Sequence, residues 1–291
     1  MKRWFQVILA IGLAVFIADT VDSWRRAYVH SHHPPLGRNA QFIAVEPNVE
    51  LEVVDFGGTG RPLILLTGLD ATAHINAKFS TKLTPKYHVY GITRRGFGLS
   101  SAPTSGYTAK RLGDDVVAVI DALKLVRPVL VGQSFGGEEL SSVATFHSEK
   151  IAGLIYLDAG NGFALYDQVH GSLSIRVGTV LRVLEPLIPA ALEPRLWQLT
   201  AGQMKFTELH VPILAIFADP HDLSTKYKDP VRRAKAEALD FERTERQVNT
   251  FQRQVPSARI VRLPHASHDI VRSNEADVLR EMNAFIGSLP Q

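Results

Sequence analysis

The chain reads as α/β, with a mostly parallel central sheet and helices on both faces. Three observations predict this. Short, continuous apolar runs alternate with stretches of helical period. One of those runs, Pro128 to Val131, feeds directly into the turn Gly132-Gln133-Ser134-Phe135-Gly136. With 291 residues, 45% of them hydrophobic, the chain has enough apolar mass for one large core.

The first segment has the form of a targeting signal. Lys2 and Arg3 precede an apolar stretch from Trp4 to Ala18, interrupted only by Gln6 and followed by Asp19, Thr20 and Asp22. This stretch is short for a membrane span. Bulky Phe16 makes cleavage after Ala18 poor, so residues 1–27 are expected to act either as a signal peptide or as an N-terminal membrane anchor. Both place the body of the protein outside the cytoplasm: periplasmic, secreted or anchored. Residues 28–40 read as a linker. Their His30, His32 and His33 lie among prolines and glycine without carboxylates, and no metal is expected there.

The folded domain is expected over 41–291. Gln41 to Val45 and Val49 to Phe56 read as an antiparallel pair, with Val49, Leu51 and Val53 alternating against Glu50 and Glu52. Pro62–Leu66, Tyr87–Ile92, Val129–Val131, Ile151–Leu157, Pro212–Phe217 and Arg259–Leu263 are unbroken apolar runs, as strands buried on both faces require. Helical spacing occupies Tyr107–Leu125, Gly137–His147, Pro230–Gln254 and Ala276–Ile286. Between the strand ending near Asp158 and the one opening at Pro212, about fifty residues exceed what a crossover needs. Leu173, Ile175, Val177, Val180, Leu181, Val183, Leu184, Leu187 and Ile188 give this insertion, about 160–210, the character of a small helical lid.

Composition removes several function classes. The chain has no cysteine, so covalent chemistry must come from a hydroxyl or a carboxylate. The formal charge is +3, and basic residues are interleaved with acids, as in Arg232-Arg233-Ala234-Lys235-Ala236-Glu237, which reads as a solvated helix face and not a nucleic-acid stripe. The glycines between Asp55 and Gly60 belong to a hairpin turn, not to a phosphate-binding strand–helix junction, so no cofactor is expected.

The strand–Gly-x-Ser-x-Gly–helix arrangement is that of a nucleophile elbow, in which a sharp turn presents Ser134 and the flanking glycines permit close backbone approach. Three further stretches accompany it in order: Leu65-Leu66-Thr67-Gly68-Leu69, Arg94-Arg95-Gly96-Phe97-Gly98-Leu99-Ser100, and Ala266-Ser267-His268-Asp269. Together they resemble the oxyanion loop, the RGxGxS segment, the elbow and the histidine loop of the α/β-hydrolase superfamily. The likeness runs from about Gln41 to the end. Thr67 stands where the family usually has His, and Thr93 where it usually has Asp.

The resemblance implies a catalytic triad. Ser134 would be the nucleophile and His268 the base, chosen over His265 because it follows the last strand in the family's order and precedes the apolar pair Ile270-Val271. The remaining histidines read as surface or packing residues. The acid is expected at Asp222, in the loop after Pro212–Phe217, although the family's spacing counted from Ala218 lands on His221. Asp219 and Asp158 remain alternatives. The backbone N–H groups of Leu69 and Phe135 would form the oxyanion hole. Glu138 and Glu139, in the first turn of the following helix, are read as complementing its dipole.

These residues predict a serine hydrolase, in the first place a carboxylic ester hydrolase acting on small to medium apolar esters. Other serine-triad reactions of this superfamily (lactone, carbon–carbon bond or aminoacyl hydrolysis, cofactor-free haloperoxidation) and a non-catalytic receptor or carrier remain alternatives. The expected partner is an apolar small molecule, with no nucleic acid and with membrane association only through the N-terminal segment.

Overall fold

A computed structural model describes residues 39–69, 71–160, 199 and 209–290. The expected signal or anchor over 1–27, nearly all of the linker and nearly all of the 160–210 insertion lie outside the described residues. Among those described, no helix is long and apolar enough to cross a membrane.

Strands β1 (Ala40–Glu46), β2 (Val49–Gly57), β3 (Pro62–Leu66), β4 (His88–Ile92), β5 (Val129–Gln133), β6 (Gly153–Leu157), β7 (Ile213–Ala218) and β8 (Arg259–Leu263) form one sheet in the order β1-β2-β4-β3-β5-β6-β7-β8. β1 pairs antiparallel with β2, and β2 antiparallel with β4. All the other pairings are parallel. The chain leaves β3 for β4 on one side and returns to β5 on the other, which opens a crevice at the carboxyl ends of β3 and β5.

Both faces of the sheet are covered, which is why the parallel strands read as unbroken apolar runs. Ile64, Leu66, Leu130, Leu154 and Tyr156 pack with α2 (Ala109–Ala122), α3 (Gly136–Phe146) and the Val248–Phe251 end of α4 (Pro230–Gln254). Leu63, Leu65, Val129, Val131 and Ile155 point the other way, toward α1 (Ala77–Leu83), the single turn α5 (Ile270–Ser273) and α6 (Glu275–Ser288). Thr108 caps α2 through the Arg111 N–H, and Asp229 caps α4 through the Arg232 N–H at 2.8 Å, with Pro230 in the first turn.

Glu52 departs from the alternation expected of β2. Glu50 faces solvent, but Glu52 is fully buried. Its carboxylate accepts the Thr93 hydroxyl at 2.7 Å and meets His74 Nε2 at 2.7 Å, while its main-chain N–H donates to Ser100 Oγ at 2.9 Å. A carboxylate from β2 thus occupies the neighbourhood of Thr93, the position where the resemblance leads one to expect an aspartate. It ties the Arg94–Ser100 loop to the sheet.

Candidate active site

The turn after β5 carries Ser134 in a constrained backbone. Ser134 lies in the left-handed region, φ 51°, which a non-glycine residue adopts only under constraint. Its N–H donates to the Leu157 carbonyl at 3.2 Å, and the Gly137 N–H closes the turn onto the Ser134 carbonyl at 3.1 Å. A Cβ at Gly132 would come within 2.8 Å of the Gly136 carbonyl, and one at Gly136 within 2.8 Å of the Leu66 carbonyl oxygen. Both glycines are therefore demanded by close backbone approach.

The structure brings Ser134 and His268 together: His268 Nε2 stands 3.0 Å from Ser134 Oγ. His265, also in the loop after β8, is exposed, and its N–H donates to the Pro220 carbonyl at 2.9 Å.

The acid on His268 is Asp158, not Asp222. His268 Nδ1 lies 2.5 Å from Asp158 Oδ2. Asp158 follows β6 directly, in the left-handed region at φ 49°, and is 2% exposed. The Asp222 side chain turns away and accepts the Ser224 N–H at 2.8 Å, a local turn contact that holds its carboxyl below the usual carboxylate range. Only its main chain serves the site, where the Asp222 N–H braces the Ala266 carbonyl at 2.8 Å. Asp219 is buried and pairs with Arg262; burial pushes its carboxyl up, against the opposing Arg262 charge.

His221 was read as a surface or packing residue, yet it belongs to this network. The loop after β7 pairs with the histidine loop through a His221–Ala266 bridge, which sets the His221 and His268 rings 5.9 Å apart. His221 Nε2 lies 2.8 Å from Asp158 Oδ2 and its Nδ1 2.8 Å from Asp240 Oδ2, on α4. The missed signal was the count itself: three residues past Ala218, the family's spacing reaches His221, and that residue points into the site. Burial disfavours charge on His221, but hydrogen bonds to Asp158 and Asp240 outweigh it and raise its pKa to about 10. Burial would likewise raise Asp158, but hydrogen bonds from His221 and His268 hold it below the ordinary value.

Opposite the histidine, the Gly68 backbone approaches Ser134 so closely that a Cβ there would sit 3.5 Å from the serine Cβ. Leu69 and Phe135, the expected oxyanion donors, flank this gap, and among the described residues neither N–H donates to another group. Arg94 braces the loop from below. Its guanidinium forks onto Glu139 at 2.8 and 2.7 Å and donates to the Thr67 and Gly68 carbonyls at 2.9 and 3.2 Å. It also lies 4.9 Å from the Phe135 ring centre. Glu139 lies in the first turn of α3 as expected and is in addition the buried ion-pair partner of Arg94.

Asp158, His221 and His268 offer one carboxylate oxygen and two imidazole nitrogens within 4.8 Å of one another, donor types that a divalent metal accepts. Both nitrogens already hydrogen-bond to one carboxylate oxygen, and Asp240 accepts at the remaining His221 nitrogen. A separate cavity of about 360 Å³, walled by Phe79, Val131, Gln133 and Arg272 among others, includes none of Ser134, Asp158 and His268.

A family model described as the alpha/beta hydrolase fold matches residues 61–186. The chain is 27% identical over 113 residues to a putative non-heme haloperoxidase of Mycobacterium phage D29, covering 38% of this chain and 41% of that protein. It is 38% identical over 98 residues to an AB hydrolase superfamily protein of Bacillus subtilis, covering 33% of this chain and 36% of that protein. The matched stretch thus spans well under half the length of these curated relatives. The solved structure of an esterase from Rhodococcus sp. ECU1013 superposes with a TM-score of 0.62 at 17% identity, over 87% of this chain and 100% of that one. The chain therefore has the α/β-hydrolase fold, and over residues 61–186 it matches that superfamily's model.

Proposed function

We propose that this chain is a serine hydrolase that cleaves small to medium apolar carboxylic esters through an acyl-enzyme on Ser134. The observation that carries the reading is the continuous chain Ser134 Oγ–His268 Nε2 at 3.0 Å and His268 Nδ1–Asp158 Oδ2 at 2.5 Å. A neutral serine is a poor nucleophile and needs a base placed in this way. As Ser134 Oγ attacks the ester carbonyl carbon, its proton passes to His268 Nε2, and Asp158 stabilises the imidazolium without taking a proton. The carbonyl oxygen becomes an oxyanion facing the Leu69 and Phe135 N–H groups, each such donor being worth about 3 kcal/mol in the transition state. Collapse expels the alcohol, which takes the proton from His268. Water then attacks the acyl-enzyme with the same histidine as base, releasing the acid and restoring Ser134.

The apolar preference is supported by the side chains of Leu69, Phe97 and Phe135, which pack with buried Tyr107, Leu112 and Leu199 beside the elbow. The printed description of the Rhodococcus structure as an esterase agrees with the reading. A serine nucleophile also sets the chain apart from carboxylate-nucleophile chemistry on this fold.

The test is turnover of p-nitrophenyl esters, lactones and aminoacyl anilides, with fluorophosphonate labelling of the wild type and of Ser134→Ala. Ester turnover and labelling are expected in the wild type and absent in the variant; unchanged turnover in Ser134→Ala overturns the mechanism. Export belongs to the same proposal and rests on the charged and apolar start of the chain. Fusion of residues 1–40 to a periplasmic reporter tests it, and a reporter active only in the cytoplasm overturns it.

A further inference from the structure

We propose that His221 and Asp240 form an outer histidine–acid pair that holds the Asp158 carboxylate against His268, making His221 a positioning residue for the reaction. The inference rests on the serine-hydrolase reading above and extends it outward by two residues. The network runs Asp240–His221–Asp158–His268–Ser134, with successive separations of 2.8, 2.8, 2.5 and 3.0 Å.

Asp158 is almost wholly buried, and a buried carboxylate must have its lone pairs satisfied. Its Oδ1 accepts the Ala218 N–H at 3.2 Å, so one oxygen is tied to the main chain of β7. Both histidines converge on the other oxygen, Oδ2. Without His221, the only side-chain donor to that oxygen among the described residues would be the imidazole that must itself reorient and exchange protons during turnover. His221 supplies a second donor that takes no part in proton transfer.

The orientation of His221 is fixed on its far side. Asp240 Oδ2 accepts both His221 Nδ1 and the His221 main-chain N–H, the latter at 3.3 Å, and Thr244 Oγ1 stands 3.4 Å from the same ring nitrogen. With a carboxylate oxygen at each ring nitrogen, both nitrogens must carry hydrogen, so the ring is an imidazolium between two anions. Among the described residues, the other charged groups around this cluster are Asp219, paired with Arg262 and near Glu245, Arg243 beside Asp240, and the His268 ring. Asp158 therefore stays ionised and acceptor-only, and the proton from Ser134 comes to rest on His268.

Three variants in the full chain test the inference: His221→Ala, His221→Gln and Asp240→Asn, each checked by thermal denaturation. His221→Ala is expected to lower kcat about tenfold, the scale typical of residues that orient a catalytic ligand from behind, with KM unchanged. His221→Gln retains an N–H donor toward Asp158 without the charge, so it should recover most of kcat. Asp240→Asn should lower kcat less than His221→Ala. If the alanine variant does not fold, the glutamine and asparagine variants carry the test.

Wild-type kcat in all three variants would overturn the inference. Equal losses of kcat in the alanine and glutamine variants, or a rise in KM that matches the loss, would do the same, since that pattern marks a purely structural role. Loss of wild-type activity on chelation and its return with zinc would reassign the cluster to a metal. A wild type with neither Ser134-dependent turnover nor labelling overturns the hydrolase reading and this inference with it. Robust wild-type turnover beside indifferent His221 variants overturns the inference alone.

Discussion

Arg94 and Glu139 form a buried, two-point ion pair that joins the loop after β4 to the first turn of α3, with separations of 2.8 and 2.7 Å. The same guanidinium holds the Thr67 and Gly68 carbonyls, so one side chain connects the two segments expected to supply the oxyanion donors. Removing one partner of such a pair leaves a buried charge uncompensated, at a cost of about 3–5 kcal/mol. Glu139→Ala should lower the thermal midpoint accordingly in a denaturation experiment. Arg94→Lys keeps the charge but cannot fork, and should reduce kcat more than KM as the Gly68–Leu69 amide loses its fixed position.

The two aspartates divide clearly. Asp158→Asn should reduce kcat by about 10⁴, because an amide cannot stabilise the imidazolium and favours the wrong tautomer of His268. Asp222→Asn should stay close to wild type, since its side chain serves only the Ser224 turn. Side-by-side kinetics on one ester substrate checks both, and a large loss in the Asp222 variant would return the acid to the loop after β7.

His221 should leave a mark on stability as well as on rate. A histidine whose folded value lies above its ordinary one stabilises the fold below the ordinary value, and that contribution disappears as pH rises through the folded value. For His221 the window runs from 6.5 to about 10. The thermal midpoint of the wild type should therefore fall more steeply across that range than that of His221→Gln. Asp158 acts in the opposite direction: held below 3.8, it contributes above that value and loses its contribution as acid protonates it.

Acyl-chain length should be read through burial. Each added methylene that enters the apolar wall of Leu69, Phe97 and Phe135 contributes about 0.8 kcal/mol, so kcat/KM should rise by a few fold per carbon until the space is filled. The expected maximum lies at short to medium chains, with charged acyl groups poor. A rate still climbing at long chains, measured across a p-nitrophenyl ester series, contradicts this.

Much of the scaffold was legible in the residues. β3 and β8 begin and end at the positions their apolar runs predict, and α4 does so at Pro230 and Gln254, because buried parallel strands and capped helices leave strong local patterns. The catalytic roles of Ser134 and His268 belong to the proposal, but their pairing was legible for a similar reason, each belonging to a short motif next to a strand end. The acid was not, because an aspartate's role depends on which loop it faces, and three aspartates end or follow strands at the same edge of the sheet. Strand pairing decides among them: Gln133 lies opposite Leu157, so the next residues, Ser134 and Asp158, leave neighbouring strands side by side. Glu52 escaped for the same reason. Its partner Thr93 is 41 residues away, and no local period reveals a carboxylate turned inward to meet it.

That β5–β6 register also determines where the site can loosen first. Ser134 and Asp158 are two posts at the ends of adjacent strands, tied by the Ser134 N–H to the Leu157 carbonyl, with β5 and β6 buried beneath them. His268 is the crossbar between them, carried on a loop with its side chain about half exposed. The joint between a rigid frame and a surface loop opens at lower free energy than the frame itself. Heat or denaturant should therefore unhook the histidine while the sheet stands, and turnover should be lost before the fold is.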